Sequence, residues 1–229
     1  MLLSPLLDLL GEENFVLVLV GAPGSGKSTM IVVATSQWGA HVDRARAMAL
    51  GSAETAKHTT NNLDYVLMAH NDLGAAIDDL RMLRVDGSRA KALEQLTLSL
   101  ADGSERGRAN VDGQGRFRAV VLTSANRSLQ TEAIGSDYQS DRAILDRFVE
   151  VPLPIPNCAF EDLHGRAELT KLVECIKEGA IANAGAVGAD FVRQLHAWVQ
   201  ADRQGCIDWL RARITWFMTN YQKGTQLER

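Results

Sequence analysis

A chain of 229 residues, 46% hydrophobic and 23% charged, has room for one α/β core with a helical appendage but is short for two independent cores. That balance excludes a disordered, collagen-like or membrane-embedded chain, and the apolar run Phe15–Val20 is too short to span a bilayer. A net charge of -4 excludes a surface that is basic throughout, so any polyanion site must be local. The cysteines Cys158, Cys175 and Cys206 are widely spaced and odd in number, which fits buried thiols rather than a disulfide framework or a zinc site. The start, Met1-Leu2-Leu3-Ser4-Pro5, lacks the positive region and cleavage site of a secretory leader, so the expected location is cytoplasmic, away from membranes.

Leu2 to Leu10 has the apolar density of a short helix closed by Gly11, and Phe15–Val20 reads as a strand buried on both faces. Gly21 to Gly26 interrupts it, and Lys27 to Trp38 resumes with helical spacing and Gly39 as its cap. Ala40 to Asn62 mixes polar and small residues and is expected to contain a strand. Leu63 to His70 reads as a helix, and Leu73 to Ile77 as a buried strand ending at Asp78-Asp79. Arg89 to Leu100 is helical in pattern, and Asp112-Gly113-Gln114-Gly115 is a hairpin turn. A buried strand from Phe117 through Thr123 stops at Ser124-Ala125-Asn126. A helix over Ser140 to Arg147 and a last strand, Phe148 to Leu153, follow. Pro152, Pro154 and Pro156 each remove a ladder donor and so end the sheet. Beyond them Glu161 to Asn183, Gly188 to Asp202 and Cys206 to Tyr221 carry helical apolar spacing, with Trp198, Trp209 and Trp216 supplying bulk. The expected domains are thus a core over residues 1–154 and a helical region over 155–229.

The chemistry concentrates in Gly21-Ala22-Pro23-Gly24-Ser25-Gly26-Lys27-Ser28, which matches G-x-x-x-x-G-K-[ST] between a buried strand and a helix. Glycines there let backbone N–H groups turn toward a phosphate, and the helix start adds its positive dipole end. Lys27 reaches the β- and γ-phosphates, Ser28 offers a hydroxyl to Mg²⁺, and Thr29 completes the nucleotide-contacting run. An acid on a neighbouring strand end is needed for the magnesium, and Ile77-Asp78-Asp79 supplies two. Asp78 is assigned to the metal and Asp79 to orienting the attacking water. Asn126, at the end of the third buried strand, places an amide where it can hold that water or the γ-phosphate.

These elements, in this order, resemble the ring-forming P-loop helicases of superfamily three within the AAA+ class. The chain is more closely similar to the ATPase domain at the C-terminus of phage and mobile-element primase-helicases. The likeness extends from Phe15 to about Leu195 and rests further on Thr35-Ser36-Gln37-Trp38-Gly39, His70-Asn71-Asp72, Leu96 to Arg108 and Phe160-Glu161-Asp162-Leu163-His164-Gly165. It implies an α/β three-layer sandwich with a C-terminal helical region, binding ATP and Mg²⁺, and assembling as a ring, in the expected case a hexamer. It makes Gly21 to Ser28 Walker A, Asp78 and Asp79 Walker B, and Asn126 the polar sensor. It also makes Arg147 a finger completing a neighbour's ATP site, with Arg142 in reserve. A hairpin gripping single-stranded or forked DNA is implied around Arg106, Arg108, Arg116 and Arg118, where Phe117 is the one aromatic available for stacking. Asp79 stands where such proteins commonly carry a glutamate. No primase-like or origin-binding region precedes the first strand, so the expectation is either a fragment of a longer protein or a chain that works with a primase or origin-binding partner.

The leading expectation is therefore a magnesium-dependent ATPase that moves on or unwinds nucleic acid in phage or mobile-element replication. A helicase loader or partner-remodelling ATPase would carry the same nucleotide site without separating strands. A small-molecule kinase would need a mobile arginine lid and an acceptor pocket, which the pattern does not present clearly.

Overall fold

A computed structural model describes residues 1–39, 41–43, 48–50, 53–55, 67–78, 100, 103, 116–128, 147–153, 159–160 and 162–221. The elements are α1 (Ser4–Leu10), β1 (Phe15–Val20), α2 (Lys27–Ser36), β2 (His41–Asp43), β3 (Met48–Leu50), β4 (Ala53–Thr55), β5 (Gly74–Asp78), β6 (Val120–Ala125), β7 (Phe148–Pro152), α3 (Leu169–Ala182) and α4 (Ala186–Tyr221).

Five strands form one sheet in the order β4-β5-β6-β1-β7, and every described pairing in it is parallel. Strands β2 and β3 make a separate antiparallel pair. The expectation of a strand between Ala40 and Asn62 thus resolves into three short ones. A parallel sheet needs cover on both faces, and the side-chain alternation supplies it. Val16, Val18, Ala75, Ile77 and Val121 bury one face with Leu67, Leu100 and Phe117. Leu19, Ala76 and Leu122 bury the other with Ile31 of α2. Each buried Val, Leu, Ile or Phe side chain among them contributes about 1.5–3 kcal/mol relative to exposure. Strand β6, buried at all six positions, is the spine of the sheet.

Helix α2 lies between that sheet and α3, which explains its lack of a polar stripe. Helix α1 ends as expected, with Gly11 left-handed at φ 73°. The other helices differ from the sequence expectation in detail. Helix α2 closes at Gln37 rather than Gly39. Helix α3 starts at Leu169 rather than Glu161, because His164 (φ 49°) and Gly165 (φ 76°) turn the chain out of a helical path. Helix α4 carries the expected interruption at Asp202 (φ -156°), whose carboxylate Oδ1 accepts the Gly205 N–H at 2.8 Å as a cap for the second half. The halves fold back so that Trp198 meets Trp209 edge-on at 5.4 Å.

Cys206 is buried as expected, and burial followed by the nearby Asp202 charge raises its thiol pKa. Cys175 instead lies exposed, with its Sγ 2.9 Å from Arg166 Nη2, and Cys158 is outside the described residues. No described helix is long and apolar enough to cross a membrane.

Candidate functional site

The glycine loop follows β1 at the C-terminal edge of the sheet. Gly24 (φ 82°) and Gly26 (φ 89°) take left-handed conformations that side chains with a Cβ rarely adopt. Those two turns carry the chain from strand to helix in six residues. The Lys27 ammonium folds back over the loop and donates to the carbonyls of Gly21 at 2.6 Å and Ala22 at 2.8 Å, with Ser25 Oγ at 3.4 Å. Lys27 is only 8% exposed. A buried ammonium is tolerated only with such partners, and it places a positive charge within the loop.

Neighbouring strands bring the other candidates to the same edge. Gly21 donates its N–H to the Ala125 carbonyl at 3.1 Å, so Asn126 follows β6 directly beside the start of the loop. Thr123 Oγ1 donates to the Ile77 carbonyl at 2.6 Å, which fixes the end of β5 against β6. Asp78 is the last residue of β5, one strand beyond Asn126. The loop, Asn126 and the Asp78 backbone therefore occupy three adjacent strand ends. Asp79 lies outside the described residues, as do Arg106, Arg108 and Arg142.

Arg147 and the described hairpin arginines sit at the opposite edge. The Arg147 carbonyl accepts the Val16 N–H at 2.8 Å at the start of β1, and its guanidinium pairs with Glu13 at 3.0 Å. Arg118 donates its backbone N–H to Asn71 Oδ1 at 2.8 Å just before β6, and Arg116 is exposed two residues earlier. Phe117, the one aromatic in the hairpin segment, lies buried ahead of β6, in keeping with its expected place at the start of a buried stretch. Its ring is 1% exposed in the core, where the sheet requires an apolar filler, and cannot meet a base.

A contact not anticipated as part of the site closes over the loop. The Ala159 N–H donates to the Ser25 carbonyl at 2.8 Å, and the Phe160 ring rests on Gly26, where an added Cβ would lie 2.9 Å from Cε2. Both residues are remote in sequence from the loop. Only the aromatic at the head of the Phe160–Gly165 run hinted at it.

Mg²⁺ prefers hard oxygen donors, and of the two residues expected to hold it Ser28 lies in the first turn of α2 and Asp78 ends β5. Among the described residues no group of three or more His, Cys, Asp or Glu could hold a metal.

A parallel sheet with a glycine loop joining a buried strand to a helix at its C-terminal edge defines an α/β protein of P-loop-like fold. Within that class, the chain belongs to the family DUF927, described as a domain of unknown function, whose model matches residues 1–119. Among solved structures it is similar to SCCmec type IV Cch, described as an active helicase, with a TM-score of 0.62 and 19% identity over 99% of this chain and 37% of that one. That likeness is one of fold, and the chain spans 37% of that helicase's length. A weaker likeness, TM-score 0.41 and 13% identity over 78% of this chain and 49% of the other, is to NtrX from Brucella abortus in complex with ADP. No curated protein matches the sequence.

Proposed function

We propose that the chain is a magnesium-dependent ATPase of the AAA+ class, resembling superfamily-three helicases, and that it drives a nucleic-acid helicase or translocase in replication of a phage or mobile element. The observation that carries this reading is Lys27, held in the glycine loop at 2.6 Å from the Gly21 carbonyl, beside the ends of the strands that bear Asn126 and Asp78. Gly21 to Thr29 bind the triphosphate, Ser28 and Asp78 hold Mg²⁺, Asp79 orients water and Asn126 senses the γ-phosphate. Magnesium, when bound, offsets phosphate charge as the terminal bond breaks. The core is assigned to residues 1–154 and the helical region to 155–229.

Self-association into a ring, likewise proposed, draws support from two features. Arg147 lies at the sheet edge away from its own loop, as a residue serving a neighbour's site would. The second half of α4 exposes Trp209, Trp216 and Phe217 at 48%, 54% and 56%. A helicase loader or partner-remodelling ATPase is the second reading, and burial of Phe117 favours it by removing the hairpin's aromatic.

The test is ATP turnover by the wild type, Lys27→Ala and Asp78→Asn, with and without single-stranded and forked DNA at low salt. Turnover is expected to fall at least about a hundredfold in both variants. Absence of turnover in the wild type would overturn the ATPase reading, and turnover that survives Lys27→Ala would overturn the glycine loop as its site. Turnover indifferent to DNA, with no strand separation, would leave the remodelling reading.

A further inference from the structure

The glycine loop is tied from within by the Lys27 ammonium on the Gly21 and Ala22 carbonyls and by the Ser25 N–H on the Ala22 carbonyl at 3.2 Å, and none of these bonds engages the Ser25 carbonyl. Its two left-handed turns fall at Gly24 and Gly26, the residue type that loses most freedom on ordering. The chain beyond the sheet supplies the restraint. Ala159 donates its N–H to the Ser25 carbonyl at 2.8 Å. In a planar trans peptide the C=O and the following N–H point in opposite directions, so that bond turns the Gly26 N–H to the side away from Ala159. The Phe160 ring then lies on the Gly26 Cα, where an added Cβ would be 2.9 Å from Cε2 and 3.3 Å from both Cδ2 and the Ala159 Cβ.

The chain after Phe160 is tied into the helical region. Asp162 Oδ1 accepts the His164 N–H at 2.7 Å in the turn that follows, and Arg166 Nη2 reaches Cys175 Sγ of α3 at 2.9 Å. The same chain grips the far end of α2, where Gly185 donates to the Ser36 carbonyl at 2.7 Å and Gly188 to the Gln37 carbonyl at 2.9 Å. The loop and helix α2 are thus held from both ends by residues outside the phosphate-binding motif.

We propose that Ala159–Phe160 is a strap that sets the phosphate loop in its binding shape, with Phe160 a positioning residue for triphosphate binding. The proposal rests on the reading of Gly21–Ser28 as a triphosphate site. A strap that shapes the loop acts on the phosphates alone, so its loss costs ATP and bare tripolyphosphate alike.

Calorimetric titration of the full chain with Mg-ATP and, separately, inorganic tripolyphosphate tests this in the wild type, Phe160→Ala, Phe160→Leu and Ala159→Pro, which deletes the N–H. Phe160→Ala and Ala159→Pro are expected to weaken both ligands by a similar factor of about ten, while Phe160→Leu retains most of the affinity. Unliganded thermal midpoints measured beside the titrations identify any variant that fails to fold, and the Phe160 pair decides if Ala159→Pro does. Loss of ATP affinity with tripolyphosphate unchanged would overturn the strap by making Phe160 a contact to the nucleoside. Wild-type affinity in both Phe160→Ala and Ala159→Pro would overturn it outright. A wild type that binds neither ligand would refute the triphosphate reading instead, which keeps the two failures distinct.

Discussion

Asn14, immediately before β1, joins three stretches of chain through one buried amide. Its Nδ2 donates to the Leu100 carbonyl at 3.0 Å, and its Oδ1 accepts the Ala119 N–H at 2.8 Å. The Val120 N–H beside it donates to Ser4 Oγ at 3.0 Å, so α1 and β6 are fastened at the same sheet edge. Asp72 lies near this edge in a left-handed conformation (φ 60°) and donates its N–H to the Arg118 carbonyl at 2.7 Å. Burial raises its pKa, the Asp8 charge raises it further, and Arg118 opposes both. A carboxyl with a raised native pKa binds its proton more tightly folded than unfolded. Its contribution to stability is therefore present below the unfolded pKa and lost as pH rises through the folded one. Asp72→Asn keeps a residue that tolerates the left-handed turn and removes the charge. The expected outcome is a slightly higher thermal midpoint near neutral pH, within about 0.5 kcal/mol as for other exposed positions, and none below about pH 3. An increment that persisted unchanged in acid would refute the charge explanation.

At the scale of elements, α2 is enclosed between the sheet and the helical region. Gly188 of α4 approaches its end so closely that an added Cβ would lie 2.6 Å from Trp38 Cε3. Gly188→Ala is expected to destabilise by about 1–3 kcal/mol, as overpacking does. Gly179→Ala on α3, with nothing within 4 Å of an added Cβ, is expected to be neutral or to stabilise by up to about 1 kcal/mol. Urea unfolding midpoints check the pair, and equal effects would exclude packing as the cause. These elements also show what the sequence makes legible. Phe15–Val20, the glycine loop and the helix after it are local signals, a doubly buried strand and a contiguous motif, and each falls where expected. The break at Asp202 was readable because a polar residue with a glycine three positions on separates two apolar patterns. The start of α3 was not, since apolar spacing continues through residues 161–168 while two successive left-handed residues forbid the helix. The Phe160 contact was not legible either, because it joins positions 134 residues apart.

Across the whole molecule, the sheet separates two chemistries by its own length. The loop, Asn126 and the end of β5 share the C-terminal edge, whereas Arg147 lies level with Phe15, at the start of β1. Six residues at about 3.3 Å each put it roughly 20 Å from Gly21, beyond the span of an arginine side chain. One copy cannot bring its own Arg147 to its own loop. If the proposed ring exists, each complete site combines the loop of one copy with Arg147 of the next, through a head-to-tail contact that closes on itself. Lys27→Ala spoils only the first half and Arg147→Ala only the second. Alone, each variant is expected to lose nearly all turnover, with Arg147→Ala still binding ATP. Mixed in equal amounts and allowed to exchange subunits, they form interfaces at random, about a quarter of which join an intact loop to an intact Arg147. ATPase activity of the mixture should therefore return to about a quarter of the wild-type value, while wild-type turnover itself should fall more steeply than protein concentration on dilution. The Glu13 ion pair joins a side chain only 24% exposed, Arg147, to one that is 69% exposed, and Glu13→Gln, which should leave turnover intact, separates loss of that pair from loss of the guanidinium. A mixture no more active than its components, in a sample whose mass shows assembly, would mean that Arg147 does not act across the interface.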